Sequence, residues 1–147
     1  MMAYTLDEGA EFFTGLRMRI ERARKEALTQ SAGLIRDEAK RVIGTYDYGW
    51  PRLKPETIKH KIAGDTPLRE TGELQASIQC SVDAEAGIAT VGSNNPKALW
   101  HELGTSRVPP RSFLAGAAVA KTPEVLKICG ADLFGWAVTS RVPEDKG

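Results

Sequence analysis

The side chains in this chain best suited to nucleophilic, acid–base or metal chemistry are His60, His101, Cys80 and Cys129. His101 is followed directly by Glu102, which would suit a base and its orienting carboxylate if both faced one point. Adjacent residues on a helix point about 100° apart, so these two do not face each other. His101 reads instead as a helix-terminal histidine near the last carbonyls, where the helix dipole favours it. Neither histidine lies in an HExxH arrangement, and no GxxxxGK[ST] or GxGxxG loop is present to cradle a phosphate. A tetrahedral zinc site needs four ligands, and two Cys and two His at 60, 80, 101 and 129 lack paired spacing. Cys80 alternates with Ile78 and Val82, which points its thiol toward a core where a thiolate is poorly stabilised. The expectation is no catalytic, cofactor-binding or metal-ligating residue, and no enzyme.

Binding chemistry is better represented. Arg52, Lys54, Lys59, His60 and Lys61 cluster near Tyr46, Tyr48 and Trp50. Such a group can stack bases and neutralise phosphates. Asp47, Glu56 and Asp65 dilute it, so a nucleic-acid-binding accessory protein working through residues 46–61 stands as the alternative reading.

The elements that must hold these residues begin with a long helix. Leu6, Phe13, Ile20, Ala27 and Leu34 recur every seven residues, widened by Leu16, Ala23, Leu28, Ile35, Ala39 and Val42 into one face for a core. Thr5 and Glu8 form a capping box at the start and Gly44 stops the helix. The basic residues of this segment are interleaved with acids and read as a solvated, salt-bridged face. Residues 44–72 form an extended loop punctuated by glycine and proline, with a helix only from Glu56 to Ala63. After a helical turn at Thr71–Ala76, Ile78–Val82 and Ile88–Gly92 alternate as a hairpin around Asp83–Gly87. Asn95 and Pro96 open a short helix that ends at Gly104, which is expected in the left-handed conformation. A proline-marked loop, Thr105–Pro110, leads to Ser112 as the cap of a helix from Phe113 to Lys121. Phe113 and Leu114 are expected to fill the core. Thr122-Pro123-Glu124 opens a separate last helix to about Val138, and Ser140–Gly147 is a polar, flexible tail. The fold expected is α+β: a long N-terminal helix and shorter helices packed on a small antiparallel sheet. Residues 1–139 make one domain.

Composition narrows the function classes. Twenty basic and nineteen acidic residues leave a net charge of +1 over 147 residues, which excludes a polycation that coats nucleic acid. With 41% hydrophobic and 27% charged residues, the chain is globular rather than disordered. No apolar run approaches the ~20 residues needed to cross a bilayer. The N-terminus lacks a basic region leading into an apolar stretch, so no signal peptide is expected. Two cysteines are too few for a disulfide framework, and read as buried thiols in a soluble, cytoplasmically made protein.

An ordered series of short motifs is more specific. Gly49-Trp50-Pro51-x-Leu53-x-Pro55-x-Thr57-Ile58-x-x-Lys61 is followed by Pro67-Leu68-x-x-Thr71-Gly72-x-Leu74-x-x-Ser77-Ile78. Val91-Gly92, Ala98-x-x-His101-Glu102-x-Gly104-Thr105 and Pro109-Pro110-Arg111-Ser112-Phe113-Leu114 complete it. The series resembles the small virion morphogenesis proteins of tailed bacteriophages, the tail-completion, neck or head–tail joining proteins. The resemblance covers about half the chain. It implies a structural protein of the virion, made in the host cytoplasm and placed at the head–tail junction. It implies a homo-oligomeric ring, six copies being the number it suggests. The implied partners are a head connector or adaptor and a tail tube or tail terminator protein, with passing contact with DNA and none with membrane.

The interface residues expected are Tyr46, Tyr48, Trp50, Pro51 and Leu53 in the first loop, and Glu102, Gly104, Thr105, Arg107 and Arg111 around the second. Proline-stiffened loops lose less entropy on docking. The Trp50 loop has two readings at this stage, a flap over the subunit's own core or an intersubunit anchor.

Overall fold

Thr5 opens the first helix: its hydroxyl accepts from the Glu8 N–H at 3.2 Å, and its own N–H donates to the Glu8 carboxylate at 2.8 Å. The structure, a computed structural model, describes residues 5–139, and their side chains as far as Gly130. The tail Ser140–Gly147 lies outside the described residues. Helix α1 spans Leu6–Val42, and the chain leaves it through an extended Ile43 and a Gly44 at φ +90°. Helix α2, Pro55–His60, is shorter than the sequence predicts. The Ile62 N–H donates to the Glu70 carboxylate at 2.9 Å instead of continuing the helix. Helix α3, Glu73–Ser77, begins after Gly72, whose φ of +82° places Thr71 and Gly72 at the cap rather than inside the helix.

Strands β1 (Ile78–Asp83) and β2 (Ile88–Ser93) pair antiparallel from Ile78↔Ser93 to Asp83↔Ile88. Two strands alone are marginal in water, and here both lie on α1. Helix α4, Pro96–Leu103, is capped by Asn95, which accepts from the Lys97 N–H at 3.0 Å. Helix α5, Leu114–Thr139, packs along α1. Ala39, Val42 and Ile43 from the end of α1 meet Trp50, Leu74, Ile78, Ala98, Phe113 and Ala117 in the core. The architecture is α+β, with a long helix and shorter helices on a small antiparallel sheet.

Further expectations change. The heptad face of α1 enters the core only in its second half. Leu6 is 94% exposed, Phe13 67% and Ile20 39%, while Ala27 is buried. The hairpin sets this limit, because its turn meets α1 at Arg24, whose guanidinium lies against Gly87. Six-residue strands reach only about 20 Å along a helix of roughly 55 Å. The separate helices expected around Pro123 are one helix, with Pro123 inside it. Proline removes a single N–H, and the four-back residue Val119 is on the exposed side, where water can serve its carbonyl. Ser112 does not cap α5; its hydroxyl donates to Glu102, which caps the helix itself. Both cysteines are free and half-buried rather than buried, and Arg36 Nη1 lies 3.6 Å from the Cys80 sulfur.

Candidate interaction site

The first loop is tied to α1 by one carboxylate. Arg41 grips Glu38 with two hydrogen bonds, Nε at 2.9 Å and Nη2 at 2.8 Å, and reaches Asp47 with Nη1 at 2.6 Å. The Tyr48 hydroxyl donates to the same Glu38 at 2.8 Å. Those donors hold the Glu38 carboxyl down at about 2 despite burial, Arg41 contributing most. Desolvation, then the Glu38 carboxylate, pushes the Tyr48 phenol up to about 12. The Tyr48 ring meets Trp50 edge-on at 5.7 Å and lies over Gly116 of α5, where a Cβ would stand 2.8 Å from the ring. Trp50 is only 8% exposed and belongs to this chain's own core, the flap reading of the loop. Of the aromatic cluster, only Tyr46 faces the basic residues: Arg52 lies 4.9 Å over its ring, and its hydroxyl bridges Asp65 and the Leu53 N–H.

The second loop is closed on itself. Thr105 donates its N–H to the Val108 carbonyl at 2.8 Å, and its hydroxyl accepts from the N–H groups of Arg107 and Val108. Gly104 has φ +75° and ψ 173°, so its conformation is not the left-handed helical cap expected. A Cβ there would lie 2.9 Å from the Pro110 nitrogen and 3.0 Å from the Val108 carbonyl oxygen, so only glycine lets the chain close. Arg111 then returns to α4, its N–H donating to the His101 carbonyl at 2.7 Å.

His101 and Glu102 diverge around α4. Glu102 reaches α5, where one carboxylate accepts from the Ser112 hydroxyl at 2.6 Å and from the N–H groups of Phe113, Leu114 and Ala115 at 2.9–3.0 Å. These are otherwise orphaned donors at a helix N-terminus, and a carboxylate complements the dipole there. His101 faces the other way, into a hollow of about 420 Å³ between the two loops. Six cations line this hollow, Arg52, Lys54, Lys61, Lys97, Arg107 and Arg111, against the carboxylates Glu70 and Glu73. Lys61 pairs with Glu70 at 2.8 Å and Lys97 with Glu73 at 3.5 Å. Lys54, Arg107 and Arg111 make no ion pair among the described residues. Burial, then the charges of Arg111, Lys61 and Lys97, lowers the His101 pKa and favours its neutral form.

Thus Leu53, Arg107 and Arg111 meet at one place. Tyr48, Trp50, Glu102 and Gly104 hold the chain's own structure together, while Pro51 and Thr105 lie exposed on the loops. His101 and Lys97 join Lys61 in the hollow, although the basic cluster read from the sequence ended at Lys61. The signal available was the helical offset between His101 and Glu102, which already sends them to different neighbours. Among the described residues no three His, Cys, Asp or Glu side chains are placed to hold a metal ion, and no helix is long and apolar enough to cross a membrane. Comparison with protein-family models, curated proteins and solved structures finds no match to this chain.

Proposed function

We propose that this chain is a structural, non-catalytic neck protein of a tailed bacteriophage, which completes the tail or joins it to the head connector as a ring of identical copies. The motif series from Gly49 to Leu114 supports the family reading. The observation that carries the assembly role is the presence of two apolar surfaces on different elements. One is the heptad face on the first half of α1, where Leu6 is 94%, Phe13 67% and Ile20 39% exposed. The other is the outer side of α4, where Leu99 is 61%, Trp100 52% and Leu103 71% exposed. Groups of large apolar side chains left in water mark interaction sites. A head-to-tail ring needs two unlike patches per subunit, whereas a two-fold dimer reuses one. A net charge of +1 limits repulsion among packed copies. The remaining exposed surfaces meet a connector or adaptor on one side and a tail tube or tail terminator on the other, in the virion after assembly in the host cytoplasm.

Electron microscopy of particles assembled without this chain tests the role. Full heads beside detached tails are expected. Normally joined, infectious particles would overturn it, and salt-sensitive DNA binding lost in an Arg52, Lys54 and Lys61 variant would favour the nucleic-acid alternative.

A further inference from the structure

Arg111 is only 6% exposed, yet it makes no ion pair among the described residues. Its guanidinium makes one hydrogen bond, from Nη2 to the Pro51 carbonyl at 2.9 Å, and its Nε is buried without a partner. Buried charges are ordinarily paired, because an uncompensated one is expensive to desolvate. Beside it, the Nδ1 of His101 is also buried with no partner. Both residues line the same hollow, whose rim carries Lys54 and Arg107, exposed cations with no ion pair among the described residues. Its apolar walls include Leu53, Leu74 and Val108, and Leu68, held at φ +63°.

We infer that this hollow is a receptor for a carboxylate side chain carried on a short apolar peptide segment of a partner protein. The carboxylate supplies the counter-charge that Arg111 lacks, in a planar geometry matched to guanidinium. The methylenes of a glutamate and its apolar flanks cover the leucine and valine walls. A nucleic-acid backbone offers phosphate but no aliphatic stem for those walls, and a duplex rests on open surfaces rather than entering a hollow of about 420 Å³. Burial first, and then the nearby charges of Arg111, Lys61 and Lys97, keeps His101 neutral, so it adds no further positive charge to the hollow. The inference stands on the hollow alone and holds whether or not the chain forms a ring.

The test is a titration of the full chain followed by NMR at the Arg111 Nε–H and the His101 ring. The probe is an acetylated, amidated pentapeptide with one glutamate between leucines; its glutamine counterpart, inorganic phosphate and a short single-stranded oligodeoxynucleotide serve as comparisons. The glutamate peptide is expected to shift both signals saturably and to bind at least tenfold tighter than each comparison. Arg111→Lys should weaken it most. Because that variant can lose its fold, Lys54→Gln with Arg107→Gln provides a second reading, with at least threefold weaker binding and an unchanged spectrum elsewhere. No saturable shift, equal binding of the glutamine peptide, unaltered affinity in the double variant, or tighter binding of phosphate or the oligodeoxynucleotide would each overturn the inference.

Discussion

Glu102 concentrates more structure on one side chain than any other residue around the second loop. Its carboxylate accepts four hydrogen bonds from the first residues at α5. Glu102→Ala should therefore cost about 2 kcal/mol, seen as a fall of roughly 8 °C in Tm, with Glu102→Gln losing about half of that. An unchanged Tm would remove Glu102 as the cap. Glu38 makes the matching prediction for acid. Its folded carboxyl sits at about 2 against an ordinary 4.5, chiefly through the Arg41 hydrogen bonds. The unfolded chain thus takes up that proton more readily, and the stabilisation, whole above about pH 4.5, is lost as pH falls toward 2. Arg41 is 52% exposed, so screening holds the effect to about 1–2 kcal/mol. Denaturant midpoints measured across this window should decline less steeply in Glu38→Gln than in the parent chain. Parallel declines would contradict the pairing. At this scale the sequence exposes residue types but not their partners. Glu102 and Arg111 stand out in their motifs, yet nothing in a string of letters says that Glu102 is used up on a helix end while Arg111 is buried without a counter-ion.

Among the elements, α5 shows where local rules mislead. Thr122-Pro123-Glu124 has the form of a helix start, and Pro123 nonetheless lies inside a helix of 26 residues. Packing of α5 along α1 outweighs one lost N–H, whose carbonyl counterpart is on the wet side. Pro123→Ala should accordingly stabilise the chain, by roughly 2 kcal/mol, measured by denaturant unfolding. Destabilisation would mean that proline sets a bend the packing needs. Elements whose signals are local were legible in advance. The Thr5–Glu8 box, the Ile78–Ser93 hairpin and the Asn95-Pro96 start each depend on residues within a few positions of one another. The limits of the α1 face were not legible. Leu6, Phe13 and Ile20 continue the heptad of Ala27 and Leu34, but burial depends on how far a six-residue hairpin reaches. The two loops lie between these cases: their prolines and glycines announce turns, while the hollow they enclose arises from a contact between Arg111 and Pro51 far apart in sequence.

For the whole molecule, the apolar half of α1 and the outer face of α4 are the two surfaces a ring would join. Phe13→Asp and Leu103→Asp each alter an exposed side chain, so each should leave Tm within about 1 °C of the parent. Either variant alone should abolish joined particles when it replaces the parent chain. Normal particle yield with both variants would remove these faces from the assembly. The most direct measurement is the position of the chain in finished particles, read by electron microscopy with a gold-labelled antibody. Label confined to the junction of head and tail is the result the neck role predicts. Unlabelled particles, with the chain recovered free and turning over a small-molecule substrate, would contradict it.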